Sequence, residues 1–168
     1  MIDIKKDFEV LQIEYSEGYF DKQKRNCLWN MKLHSHNLNE LYYLCTGRVQ
    51  YNIDGEVFDL EAGNVIFIPK GMTHKTTSIS ITHERVVLNF SDVFFDENIG
   101  ELLSELFSNR VLVIPEKKRA YFEKILIQIL KEKEKPDQFS EKLIGQYFYQ
   151  MVVFLNRVLQ VDDKEKHI

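Results

Sequence analysis

Four glycines, Gly47, Gly55, Gly63 and Gly71, recur every eight residues through the middle of the chain. Short strands with turn signals at that interval predict an antiparallel sandwich or barrel. One hairpin can be read in register. In RVQYNIDGEVFDL, Asp54-Gly55 is a two-residue type I′ turn signal. That turn sets Ile53 opposite Glu56, Tyr51 opposite Phe58 and Val49 opposite Leu60. Tyr51, Phe58, Val49 and Leu60 then share one face, and Gln50, Asn52 and Asp59 take the other. The segments 40–46 and 65–68 are apolar on both parities, as expected of strands covered on two faces. Pro69 cannot donate to a ladder and closes the second of them.

Outside this centre the signals are of two kinds. Residues 1–26 mix charge with isolated apolar positions and fit one or two edge strands. A partial apolar–polar alternation runs from Cys27 to Leu33. After residue 76 the chain stays rich in β-branched residues, with Val86, Leu88 and Phe90 at period two. The period then changes. Ile99, Leu102, Leu103, Leu106 and Phe107 follow the spacing of an amphipathic helix. A short extended piece, 111–114, precedes Pro115, which favours a first helical position. A second helix carries Phe122, Ile125, Leu126, Ile129 and Leu130; it ends in the solvated KEKEK run and at Pro136. Ser140 is the predicted N-cap of a third, with Ile144, Tyr147, Phe148, Met151, Val152, Leu155 and Leu159 on its stripe. Val153 and Phe154 widen that stripe beyond what one packing face needs. This width marks Met151, Phe154 and Leu155 as candidates for a homodimer contact. The final DDKEKHI reads as a polar linker.

The length of 168 residues suits one domain with a real core, and 44% hydrophobic and 12% aromatic residues exclude disorder. A net charge of −4 argues against phosphate-gripping surfaces. Cys27 and Cys45 are too few for a disulfide framework, and no apolar run reaches a membrane span. A reduced, cytoplasmic protein is the expectation.

Three of the five histidines stand at the two ends of 34–74. His34, His36 and Glu40 share one parity, so a continuous strand would carry them to one face. His74 follows 34 residues after Glu40, and a sheet that folds back would bring it alongside. Imidazoles with a carboxylate suit Zn, Fe, Mn, Ni or Cu, and four protein ligands can leave a position open for a ligand. Alone, H-x-H is weak, since paired strand histidines are usually surface residues. Joined to G-x5-P-x-G-x2-H it is far more specific. His83 reads as a surface or turn histidine, His167 as a tail residue, Cys45 as a small buried hydrophobe, and Tyr42, Tyr51 and Phe67 as core, since only some strand faces can line a pocket.

This double pattern resembles the cupin superfamily: His34, His36, Glu40 and Gly47 match its first motif, and Gly63, Pro69, Gly71 and His74 its second. Leu28 and Ser78 stand where cupins often have Gly and Asn. The resemblance implies a mainly β fold with C-terminal α: a cupin-type double-stranded β-helix, an antiparallel barrel over 1–95, followed by a helical hairpin over 96–168. It places His34, His36, Glu40, Tyr42 and His74 in a ligand site inside the barrel, with His34, His36, Glu40 and His74 as ligands for Zn, Fe, Mn or Ni.

Within cupins, HSHNLNELYYLCTG, IPKGMTH and ERVVLNFSDVFF followed by helices look most like the N-terminal sensor domain of AraC-family transcription regulators. That likeness implies a small-molecule effector, a sugar among the candidates, and a homodimer through the helices. DNA would be bound only by a C-terminal domain that lies outside this chain. The rival readings are a stand-alone metal-dependent cupin enzyme, an isomerase or oxygenase, and a non-catalytic sugar-binding module.

Overall fold

A computed structural model describes residues 8–17 (backbone), 33–80 and 82–166. The expected alternation from Cys27, together with Leu28 and His167, lies outside these residues. Eight strands form: β1 (Phe8–Glu17), β2 (Asn39–Thr46), β3 (Arg48–Ile53), β4 (Glu56–Glu61), β5 (Asn64–Ile68), β6 (His74–Ser78), β7 (Thr82–Phe90) and β8 (Val111–Val113). Three α-helices follow the main run of strands: α1 (Gly100–Asn109), α2 (Glu116–Glu134) and α3 (Ser140–Lys166). The fold is mainly antiparallel β with C-terminal helices.

The strands form two antiparallel sheets, one ordered β1-β7-β2-β5-β8 and the other β4-β3-β6. A closed barrel was expected; among the described residues the ladder does not run continuously from one sheet to the other. Side-chain packing joins them instead. Tyr42, Leu44, Ile66 and Ile68 of the larger sheet share a core with Val49, Tyr51, Ile53 and Leu60 of the smaller. The opposite face of the larger sheet, with Leu41, Tyr43, Val65, Phe67, Leu88 and Phe90, packs on all three helices. β2 and β5 are therefore covered on both faces, which is why their sequences are apolar on both parities.

The β3–β4 hairpin has the register read from its turn: Val49 pairs with Leu60, Tyr51 with Phe58 and Ile53 with Glu56. Asp54 and Gly55 both take positive φ, 48° and 88°, as a type I′ turn demands. β8 comes from the stretch between α1 and α2 and adds an edge strand to β5.

Three local expectations change. Ser140 is not the cap of α3. It is buried, and its hydroxyl accepts from Asp137 N–H and donates to Glu132 Oε2. Asp137 Oδ1 accepts from Phe139 N–H at 2.8 Å, so the side chain three residues earlier organises the helix entry. The expected linker at 162–166 continues α3, which runs to Lys166. Cys45 is only half-buried. No helix among the described residues is long and apolar enough to cross a membrane.

Candidate metal and ligand site

The segment before β2 does not run as one strand. His34 forms an isolated bridge with His74, and the chain bends at Asn37 and Leu38 before β2 begins at Asn39. Parity along a strand therefore does not bring His36 and Glu40 together; the bend does. His36 Nε2 lies 2.9 Å from Glu40 Oε2. Backbone hydrogen bonds tie the two motifs to each other. His74 N–H donates to His34 O at 2.8 Å, His34 N–H to His74 O at 3.1 Å, and Gly71 N–H to His36 O at 2.9 Å. The turn after Pro69 is thus held against the first histidines, and His74 enters β6 beside them.

Nitrogens of His34, His36 and His74 lie within 4.8 Å of one another. Glu40 adjoins two of them, with Oε2 at 2.9 Å from His36 Nε2 and 3.4 Å from His74 Nε2. Each of those two rings is oriented from behind. His36 Nδ1 lies 2.7 Å from Leu38 O and His74 Nδ1 lies 2.8 Å from Met72 O. A carbonyl oxygen only accepts, so both Nδ1 atoms carry the hydrogen and both Nε2 lone pairs face Glu40. Metal-binding histidines are commonly oriented through the other ring nitrogen in this way. Among the described residues, the buried His74 Nε2 meets no partner in hydrogen-bond geometry. Lone pairs aimed at a carboxylate repel unless a positive charge, a proton or a metal ion, lies between them. The donor set fits a divalent transition metal on that observation.

Glu40 is buried, and burial alone would raise its pKa. Its contacts with the His36 and His74 rings and the hydrogen bond from Tyr51 outweigh that and hold the carboxyl at about 2. Tyr51 Oη donates to Glu40 Oε1 at 2.5 Å, and its ring stacks at 6.0 Å on that of His74. Tyr51 was expected to be core alone; it also fixes the free oxygen of the carboxylate. Its strand lies in the opposite sheet, so no local spacing links it to Glu40. Tyr42 is buried with its ring 5.0 Å from that of Tyr51, and the Arg85 guanidinium lies 5.7 Å from its ring centre. One side of the cluster is open, with the His36 side chain 26% exposed.

Residues 30–88 match the cupin domain. The match ends within β7, so the cupin segment contains the whole histidine cluster and none of the helices. No curated protein matches the chain. Among solved structures, an RmlC-like cupin from Shewanella frigidimarina is 21% identical, with 51% of this chain and 66% of that one covered and a TM-score of 0.39. A conserved Streptococcus pyogenes protein of unknown function is 16% identical, with 51% and 66% covered and a TM-score of 0.40. Oxalate decarboxylase from Bacillus subtilis is 16% identical, with 52% of this chain and 22% of that one covered and a TM-score of 0.38.

His83 is not at the surface. It is buried on the inward side of β7, with Nδ1 2.6 Å from Ser78 Oγ. Two of the candidate dimer residues are also inside: Met151 and Leu155 are fully buried in the chain's own core. Phe154 is partly buried and packs on Tyr121 and Phe122 of α2, at 5.4 and 5.6 Å between ring centroids.

Proposed function

We propose that the cupin segment holds a divalent transition metal, Zn, Fe, Mn or Ni, on His34, His36, Glu40 and His74, and that a small molecule binds there. The observation that carries this reading is the pair of imidazoles locked by backbone carbonyls, with both Nε2 lone pairs turned on Glu40. The metal would supply a Lewis-acidic centre for an oxygen of the ligand. The chain's own residues do the rest. Leu38 O and Met72 O set the tautomers, and Tyr51 holds Glu40.

In this reading the chain is the effector-binding and dimerisation part of an AraC-like regulator, and ligand binding favours one arrangement of sheets and helices over another. The contact between Asn39, Lys70 and Asp92 supports such coupling. Asn39 accepts from Lys70 N–H and donates to Asp92, whose carboxylate also meets the Lys70 ammonium group. It ties the Pro69–Gly71 turn beside the site to the short 3₁₀ segment (Asp92–Phe94) ahead of α1. The preset metal ligands equally favour a second reading, a metal-dependent cupin enzyme.

Purified chain is expected to contain near-stoichiometric transition metal by mass spectrometry, and His36→Ala to lose it. Metal-free wild-type protein that cannot be loaded would remove the metal. A helix-turn-helix region encoded directly after residue 168 would favour the regulator; its absence, with turnover of a bound compound, would favour the enzyme.

A further inference from the structure

The two carbonyls that orient the histidines belong to segments joined by one side chain. Leu38 O, which faces His36 Nδ1, comes from the residue directly before Asn39. Met72 O, which faces His74 Nδ1, lies two residues after Lys70. Asn39 Oδ1 accepts from Lys70 N–H at 3.1 Å, so its amide fixes one carbonyl-bearing segment against the other. Backbone bonds stiffen the second segment: Gly71 N–H donates to His36 O at 2.9 Å and Met72 N–H to Pro69 O at 3.3 Å. Asn39 is 4% exposed, and a buried amide that loses its partners is destabilising.

The same amide faces the helical layer. Asn39 stands opposite Phe90 at the end of β7, where the chain passes through Ser91 into the 3₁₀ segment. Asn39 Nδ2 donates to Asp92 Oδ1 at 2.9 Å, and the other carboxylate oxygen meets Lys70 Nζ. Asp92 also shapes the segment itself, since its O accepts from Phe95 N–H at 2.9 Å. Two residues on, buried Phe94 lies 4.4 Å from Phe148 of α3 between ring centroids. The Asp92 and Lys70 side chains are each about half exposed, so this contact can open to water while the core stays packed.

We infer that Asn39 is a positioning residue shared by the histidine cluster and the helical layer. Its amide holds the two carbonyls that orient His36 and His74, and through Asp92 it makes metal binding and the seating of Phe94 on α3 interdependent. This rests on the reading that the cluster takes a metal. Such coupling is reciprocal: if zinc tightens the Asn39–Asp92 contact, loss of that contact weakens zinc by the same factor.

The test joins competitive chelator titration with zinc to hydrogen exchange of the full chain, with and without zinc. In the wild type, zinc is expected to slow exchange at 92–95 and at 144–152 of α3 as well as around the histidines. Asp92→Ala, an exposed change, should bind zinc at the same stoichiometry but about fivefold or more weakly, and zinc should no longer slow exchange at 144–152. Asn39→Ala should weaken zinc by about 10- to 100-fold; if it does not fold, Asp92→Ala decides the matter. A merely structural role would speed exchange equally with and without zinc and leave the zinc-induced difference intact. Persistence of that difference at 144–152 in Asp92→Ala, or its absence in zinc-loaded wild type, overturns the inference and leaves the metal centre standing. A wild type that takes up no zinc overturns the metal centre and this role with it.

Discussion

His83 sits inside the protein beside Ser78, and its imidazole is held at a pKa of about 4 by burial first and by the nearby Arg85 charge second. The unfolded chain would protonate it near pH 6.5. Between those two values the unfolded state binds more protons than the folded state, so stability is complete above about pH 6.5 and falls as the pH drops towards 4. The full effect is about 3 kcal/mol. Urea unfolding at pH 7, 5.5 and 4.5 should show this loss in the wild type and a smaller one in His83→Gln. Parallel curves for the two proteins would mean that His83 titrates in the folded state as it does in water. Tyr51 acts at the same scale through one bond, its hydroxyl to Glu40 Oε1. Tyr51→Phe keeps the ring and removes that bond. It should lower metal affinity by about 10- to 100-fold in a competitive chelator titration, with the fold intact by circular dichroism. Unchanged affinity would make Tyr51 a packing residue only.

At the scale of elements, α3 shows how a helix spends its apolar residues. Ile144, Phe148, Met151, Val152, Leu155, Val158 and Leu159 are all buried. The stripe is wide because α3 packs on two partners at once, α2 on one flank and α1 on the other. Phe148 reaches past both helices: its ring lies 5.0 Å from Phe90 of β7 and 4.4 Å from Phe94 of the 3₁₀ segment. Phe148→Ala should cost about 3–5 kcal/mol, whereas Tyr149→Ala, one residue on and 45% exposed, should cost no more than about 0.5 kcal/mol. Denaturant midpoints for the pair check the phase of the helix directly, and similar losses would show that it is misjudged.

At the scale of the whole molecule, the same packing moves the candidate dimer surface. Met151 and Leu155 are inside, yet a groove of about 580 Å³ runs between α2 and α3, lined by Tyr121, Tyr149, Val153 and Phe154 with Lys117 and Arg157. Tyr121 is 49% exposed and hydrogen-bonds only at its hydroxyl end, to Gln150. A symmetric dimer in the proposed regulator would cover these rings. Sedimentation at micromolar concentration should give a dimer that dissociates when Tyr121 and Tyr149 are both changed to Glu. A monomeric wild type would leave the groove without that role.

The periodicity of this chain by itself determined the strands, the β3–β4 register and the order of β before α. Each follows from neighbours a few residues apart, through the φ > 0 demand of Asp54-Gly55 and the periods of strand and helix. The paired motifs likewise pointed to His34, His36, Glu40 and His74, through their spacing and their resemblance to the cupin pattern. Only the tertiary structure decided how they meet. His36 reaches Glu40 through a bend, not through strand parity, and Tyr51 arrives from the other sheet. It also decided what became of His83, Met151 and Leu155, because burial depends on which surfaces pack across the molecule. A residue's own neighbours in sequence carry no information about that: the contacts that bury His83 or hold Glu40 are made between strands whose approach is set by the whole core.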